Sequence, residues 1–361
     1  MAGVLAEAAE GRRPSRVHRV IGYYAHHLGA GHVHRAGAIA AALRTPVIGF
    51  STMSAPSGWP GRWIRLPDDS GDFTPSDGDD VTAGGTLHWV PSGHAGLRNR
   101  MGLIGAELAK GEISVMVVDV SVEISVLARL HGIPVVVMAQ PGDRSDRPHQ
   151  LCYDLAERLL AAWPSVGPQD WPSRWLDKTV HLGAVSRFDG RPPTDPPGTR
   201  RVLALWGQGG LDIGLDDLRA AAAATPDWCW DVVGQETDST AEQDNLAWHG
   251  WVDDVWARLG DADVVVTHAG QNALAEVAAA RRPAVVLPQL RPHDEQLATG
   301  EMLRRADIGT VLAGWPRPDE WPGVLERARA RGGTEWSRWS TGGGAQRAAA
   351  VLDGIAERGR S

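Results

Sequence analysis

Val264-Val265-Val266-Thr267-His268-Ala269-Gly270-Gln271-Asn272-Ala273-Leu274-Ala275-Glu276 is the stretch of this 361-residue chain that decides its fold. The β-branched run reads as a buried strand that ends at Thr267. Gly270 permits a tight turn, and a helix follows. The mouth of such a helix presents unpaired N–H groups and the positive end of the dipole, which suits a pyrophosphate. Asn272 and Glu276 are four residues apart and share a helix face, with His268 one such interval before them. The alanines beside them leave room for a ligand. Glu276 lies one turn inside, where a carboxylate accepts hydrogen bonds from both hydroxyls of a ribose. Taken alone, the unit also fits a surface helix with a solvated Glu and a capping His, so its neighbours carry the weight.

Immediately downstream, Ala284-Val285-Val286-Leu287 reads as the next strand, Pro288 comes after it, and Pro292-His293-Asp294-Glu295-Gln296 follows. A short loop thus brings an acid and an amide, Glu295 and Gln296, to the same carboxyl edge of the sheet. Paired acceptors and donors of this kind meet sugar hydroxyls. The same alternation runs through the second half: strands over 201–205, 229–233, 245–248, 262–266 and 308–312, and helices over 215–224, 253–259, 271–281 and 294–305. Helices over 321–330 and 344–357 close the chain. In the first half, strands over 17–24, 46–50, 113–120 and 135–139 alternate with helices over 32–43, 121–131 and 151–160. This rhythm predicts an α/β protein with parallel sheets covered on both faces. The segment 51–96, rich in Gly, Pro and Asp, reads as surface loops with one or two short strands and a solvated acidic run. Phe188 to Arg200 is rich in Pro and Gly and reads as a linker. The expected organisation is a flexible tail over 1–16, a doubly wound domain over 17–187, the linker over 188–200, a second doubly wound domain over 201–342, and a terminal helix and tail over 343–361.

Composition bounds the function. Hydrophobic residues make up 43% and charged residues 22%, ordinary values for a globular protein, and the net charge of −8 argues against a nucleic-acid partner. Cys152 and Cys229 match no metal or redox spacing and read as reduced, buried thiols. Met1 to Arg16 lacks the apolar centre of a signal peptide, and no segment reaches the roughly 18 apolar residues of a membrane span. The expected location is cytoplasmic, with room for peripheral contact at the inner face of the membrane. Sixteen tryptophans are many for this length, and Trp59, Trp63, Trp171, Trp175, Trp251 and Trp315 fall in expected loops. A loop tryptophan either meets a sugar or a lipid headgroup or packs beneath its loop; packing is the plainer reading for most.

The block from His268 through Asn272 to Glu276, followed by Pro288 and Glu295-Gln296, resembles the donor signature of the GT-B glycosyltransferases. Within them it is similar to family 28 and the UDP-glycosyltransferase group, above all the bacterial UDP-N-acetylglucosamine transferases that form lipid II. The resemblance implies a GT-B fold: two doubly wound Rossmann-like domains facing across a cleft. It implies that His268 or the helix start at Gly270 meets the donor diphosphate, with Asn272 on the same donor side, that Glu276 binds the ribose, and that the acid–amide pair Glu295 and Gln296 binds the donor sugar. Glu295 stands where many relatives carry Asp, which leaves the sugar open. Further matches are Trp251 and Val252, in the loop expected to flank the uracil, and Gly207-Gln208-Gly209, a Gly-rich turn after the first strand of the second half whose backbone N–H groups suit an anion. In the first half, His26-His27-Leu28-Gly29-Ala30-Gly31-His32 resembles the family's glycine loop, with Gly29 and Gly31 on the acceptor side. His32 is a candidate general base, or else a residue that caps the helix and orders the loop. Asp119, at a strand end on the same rim, can orient a histidine, act as base, or cap the next helix, and the cap is the plainer reading.

The activity this implies is transfer of a hexose or N-acetylhexosamine from a UDP-sugar, or another NDP-sugar, to an acceptor hydroxyl, with inversion. The partners are the nucleotide sugar and a small-molecule, glycan or lipid-linked acceptor. No cofactor and no metal site are expected: no Asp-X-Asp pair stands at a strand end with supporting residues. Two rivals share the architecture. A UDP-sugar 2-epimerase would need no acceptor and carries a Ser-Gly-Gly motif that is absent here. A non-catalytic nucleotide-sugar-binding subunit would have no use for His32.

Overall fold

The computed structural model describes residues 19–71, 73–76, 78–166, 170–207, 213–234 and 243–358. The first half runs β1 (Val20–Ala25), α1 (Ala30–Ala42), β2 (Val47–Ser51), β3 (Arg62–Arg65), α2 (Ala95–Leu108), β4 (Ile113–Asp119), α3 (Val122–Leu130), β5 (Val135–Ala139), α4 (Arg147–Leu155), β6 (Arg158–Ala161), α5 (Ser173–Leu176) and β7 (Thr179–His181). The second runs β8 (Arg201–Leu205), α6 (Leu215–Ala224), β9 (Cys229–Val233), β10 (Leu246–Trp248), α7 (Val255–Asp261), β11 (Val264–Thr267), α8 (Gln271–Ala280), β12 (Ala284–Val286), α9 (Glu295–Arg305), β13 (Thr310–Val311), α10 (Trp321–Arg331) and α11 (Gly344–Arg358).

Both sheets are parallel throughout their named strands. Their orders are β3-β2-β1-β4-β5-β6-β7 and β10-β9-β8-β11-β12-β13. Strands covered on both faces need apolar residues at nearly every position, and β2 and β5 are buried along their whole length. Each order reverses direction once, between β1 and β4 in the first sheet and between β8 and β11 in the second. Such switch points open a crevice at the carboxyl ends of the strands. His32 and Asp119 follow β1 and end β4; Gly207 and His268 follow β8 and β11. The two crevices therefore supply the walls of one site.

α11 returns to the first half. Ala345, Ala348, Leu352, Ile355 and Ala356 join Ile21, Val33, Ile39 and Val117 in one buried cluster. Asp353 accepts the backbone N–H groups of Arg44 (3.2 Å) and Thr45 (3.0 Å), just past the end of α1.

Four expectations need correction. Residues 151–160 are not one helix: α4 ends at Leu155, and β6 begins at Arg158, because Leu159 to Ala161 are buried against β5 and β7. The acidic run is not wholly solvated: Asp69 is buried and pairs with the buried Arg100 at 3.1 Å. Cys229 is exposed, unlike the buried Cys152. Two tryptophans expected in loops lie in elements instead, Trp63 in β3 and Trp175 in α5, where Trp175 packs at 2% exposure, whereas Trp251 is in a loop and 51% exposed.

Candidate active site

A cleft of about 430 Å³ separates the two crevices. Its first wall is the loop after β1 and the start of α1: Leu28, Gly29, Ala30, Gly31, His32 and Arg35. Its second wall holds Gly207, Trp251, Val252, His268, Gly270, Asn272, Glu276, Glu295 and Gln296. Nearly all the residues singled out in the sequence thus line one space. Gln208 and Gly209 lie outside the described residues. Asp119 sits behind the first wall and reaches the cleft through His32.

Asp119 ends β4 fully buried. Its Oδ1 lies 2.9 Å from His32 Nδ1 and accepts from Arg35 Nη2 at 2.6 Å, while Oδ2 accepts from Arg35 Nε at 3.0 Å. Burial by itself raises the carboxyl pKa. The charges of Arg35 and His32 and their hydrogen bonds overcome that and hold it well below the usual carboxylate range. Arg35 Nη2 also approaches His32 Nδ1 at 3.2 Å. The nearby carboxylate favours a proton on Nδ1, which leaves the lone pair on Nε2. Asp119 is not the helix cap: that is Ser121, whose hydroxyl accepts the Ile124 N–H at 3.2 Å. Between them Val120 is held at φ 64. A β-branched residue there is a backbone outlier that costs about 1–3 kcal/mol, a strain that clusters at functional sites.

The array crosses the cleft. Arg35 Nη1 donates to Gln271 Oε1 at 2.6 Å, the first residue of α8. Gly31 makes this approach possible, since a Cβ there would collide with the Asn272 side chain. The mouth of α8 is ordered locally as well. Gly270 N–H donates to His268 Nδ1 at 2.9 Å, so the proton of a neutral His268 sits on Nε2. Gln296 is buried, and its Oε1 accepts two backbone N–H groups, from Ala269 and Gln289, each at 3.1 Å. It fastens the loop after β11 to the loop after β12. Glu276 lies deeper, and Arg187 Nε donates to its Oε1 at 2.9 Å. Burial raises the Glu276 pKa and Arg187 opposes the rise. Glu295 is more open and stands 3.7 Å from Arg144 of the first half.

Arg35 and Arg187 escaped the sequence reading. Arg35 lies three positions after His32 on the same helix, a spacing that put both on one face. Arg187 carries no local signal; only the folded chain brings it to Glu276.

Residues 233–312 match the glycosyltransferase family 28 C-terminal domain. The chain is 28% identical over 208 residues to the UDP-N-acetylglucosamine–N-acetylmuramyl-(pentapeptide) pyrophosphoryl-undecaprenol N-acetylglucosamine transferase of Sorangium cellulosum, covering 53% of this chain and 50% of that protein. It is 30% identical over 230 residues to the transferase of the same name from Yersinia pseudotuberculosis, covering 56% of this chain and 62% of that one. The chain thus spans about half to three-fifths of the length of these curated relatives. Over nearly its whole length it is similar in fold to the crystal structure of the glycotransferase of kitacinnamycin, with a TM-score of 0.65, 20% identity, and coverage of 93% of this chain and 98% of that one.

Proposed function

We infer that this chain, of GT-B fold and carrying in its second half the glycosyltransferase family 28 C-terminal domain, transfers a hexose or N-acetylhexosamine from a UDP-sugar to an acceptor hydroxyl with inversion. The observation that carries this reading is the buried Asp119 paired with the half-buried His32 and joined by Arg35 to Gln271 at the mouth of α8. A base and a diphosphate-binding helix mouth face each other across a space of nucleotide-sugar size.

The donor lies against the second wall. Backbone N–H groups from Gly270 to Asn272, the α8 dipole and His268 Nε2–H meet the diphosphate. Arg187 engages one oxygen of Glu276, and the other takes a ribose hydroxyl. Trp251 and Val252 flank the base, and Glu295 binds the sugar. Gln296 acts differently from a direct sugar ligand through its Oε1, which holds the two loops in register. The acceptor enters over Gly29 and Gly31. His32 Nε2 takes the hydroxyl proton as the acceptor oxygen attacks the anomeric carbon. The bond from that carbon to the diphosphate oxygen breaks, through an oxocarbenium-like transition state. Asp119 steadies the imidazolium that forms, and the α8 mouth stabilises the leaving diphosphate.

The acceptor is a small molecule, a glycan or a lipid-linked carrier. Among the described residues no helix is long and apolar enough to cross a membrane. A lipid-linked acceptor would be met by peripheral contact at the inner face of the membrane. The test is UDP release from UDP-N-acetylglucosamine and UDP-glucose, with and without an acceptor library. Acceptor-dependent release that is lost in His32→Ala supports the reading. Release or epimerised sugar formed equally well without any acceptor overturns it.

A further inference from the structure

Four side chains far apart in the sequence meet at another rim of the interface between the halves. His88 comes from the segment before α2, Asp146 and His149 from the start of α4, and His293 from the turn before α9. A nitrogen or oxygen of each lies within 4.8 Å of those of the other three. His88 Nε2 is 3.1 Å from Asp146 Oδ2, and His149 Nδ1 is 2.5 Å from Asp146 Oδ1. The His149 ring stands against those of His88 and His293, with centroids 4.6 Å apart in each case. His149 is buried and the other three are partly open, so an ion has a path in.

The backbone holds His293 to this task. His293 and Asp294 are consecutive non-glycine residues at φ 62 and 54. That conformation is unfavourable for residues with a Cβ. The His293 carbonyl accepts the Asp143 N–H at 2.8 Å, and a Cβ on Gly142 would collide with the same carbonyl. The second half therefore presents this one imidazole against three groups of the first. Both His149 and His293 close an Arg-Pro-His tripeptide, at 147–149 and 291–293.

We propose that His88, Asp146, His149 and His293 bind one zinc-class divalent cation that ties the two halves together in the closed molecule. Three imidazoles and one carboxylate are a tetrahedral nitrogen and oxygen set of the kind zinc accepts. His149 offers Nδ1, the atom that already faces Asp146. Its ring proton then resides on Nε2, which Arg144 Nη1 now approaches at 3.2 Å. Arg144 Nη2 already stands 3.7 Å from Glu295.

The test is direct titration of chelator-treated full-length protein with zinc chloride against a chromophoric chelator, and with cobalt chloride as a spectroscopic probe. One equivalent per chain, with the intense visible bands of four-coordinate cobalt, is expected. His88→Ala and His293→Ala should each weaken zinc binding by roughly tenfold or more. Asp146→Asn, which keeps an N-cap for α4, serves the same purpose where a histidine variant fails to fold by circular dichroism. Zinc should also reduce the radius of gyration of the wild type by X-ray scattering, but not that of His293→Ala. Binding below one equivalent, or binding unchanged in the variants, would overturn the site. An unchanged radius with zinc bound would overturn the tie between the halves.

Discussion

The imidazole of His32 leans on a carboxylate that water does not reach, and this pairing orients its ring. Removing Asp119 leaves Arg35 buried without its partner, so Asp119→Ala should cost about 3–5 kcal/mol in chemical denaturation. The folded-state pKa of Asp119 is depressed below its ordinary value of 3.8. As pH falls, the unfolded chain takes up this proton first. The stabilisation is therefore complete above that value and lost as the pH drops toward the folded one. Asp119→Asn should flatten this acid limb of the stability curve; an unchanged limb would show that the carboxylate contributes nothing there. His32→Ala should lower acceptor-dependent UDP release by about 10²–10⁴-fold while leaving UDP affinity in calorimetry nearly unchanged. Equal losses in both would make His32 a donor ligand instead. Placement in the cleft was legible where the motif is local: His32, His268 and Glu276 sit in short marked stretches and line one space. Arg187 and the meeting of His88 with His293 were not, because long-range contacts leave no spacing to read.

At the scale of elements, the site is two helix mouths opposed across a crevice. α1 and α8 come so close that Gly31 has room only for a hydrogen beside Asn272. Gly31→Ala should therefore push the mouths apart and lower kcat about a hundredfold, as a displacement near 1 Å can do. The melting temperature should move little, since the contact lies across the cleft and outside either core. A loss of melting temperature in proportion to activity would mean that the glycine serves folding instead. Elements with strong periodicity were readable in sequence: α6 was expected over 215–224 and spans Leu215–Ala224. β6 was not, since Leu159-Leu160-Ala161 is too short to distinguish a buried strand from a helix end. α2 was also unread, although Leu97, Met101, Ile104 and Leu108 have helical spacing; the glycines around them obscured it.

For the whole molecule, the chain crosses between its halves twice, through the linker and again before α11. The last helix completes the core of the first half, with Leu352 fully buried in it. Leu352→Ala should destabilise the first half by about 2–5 kcal/mol and leave the second-half transition in place, as resolved by tryptophan fluorescence in urea. A shift of the second transition alone would contradict this packing. On the proposed reading, the cleft joins two surfaces that act only together, a base on one and a diphosphate cradle on the other. A crystal structure of the chain soaked with UDP tests that claim most directly. The account predicts the two phosphates against the backbone amides of Gly270 to Asn272, the ribose hydroxyls on Glu276, and His32 facing them across the gap. Nucleotide bound on any other surface of either half would contradict it.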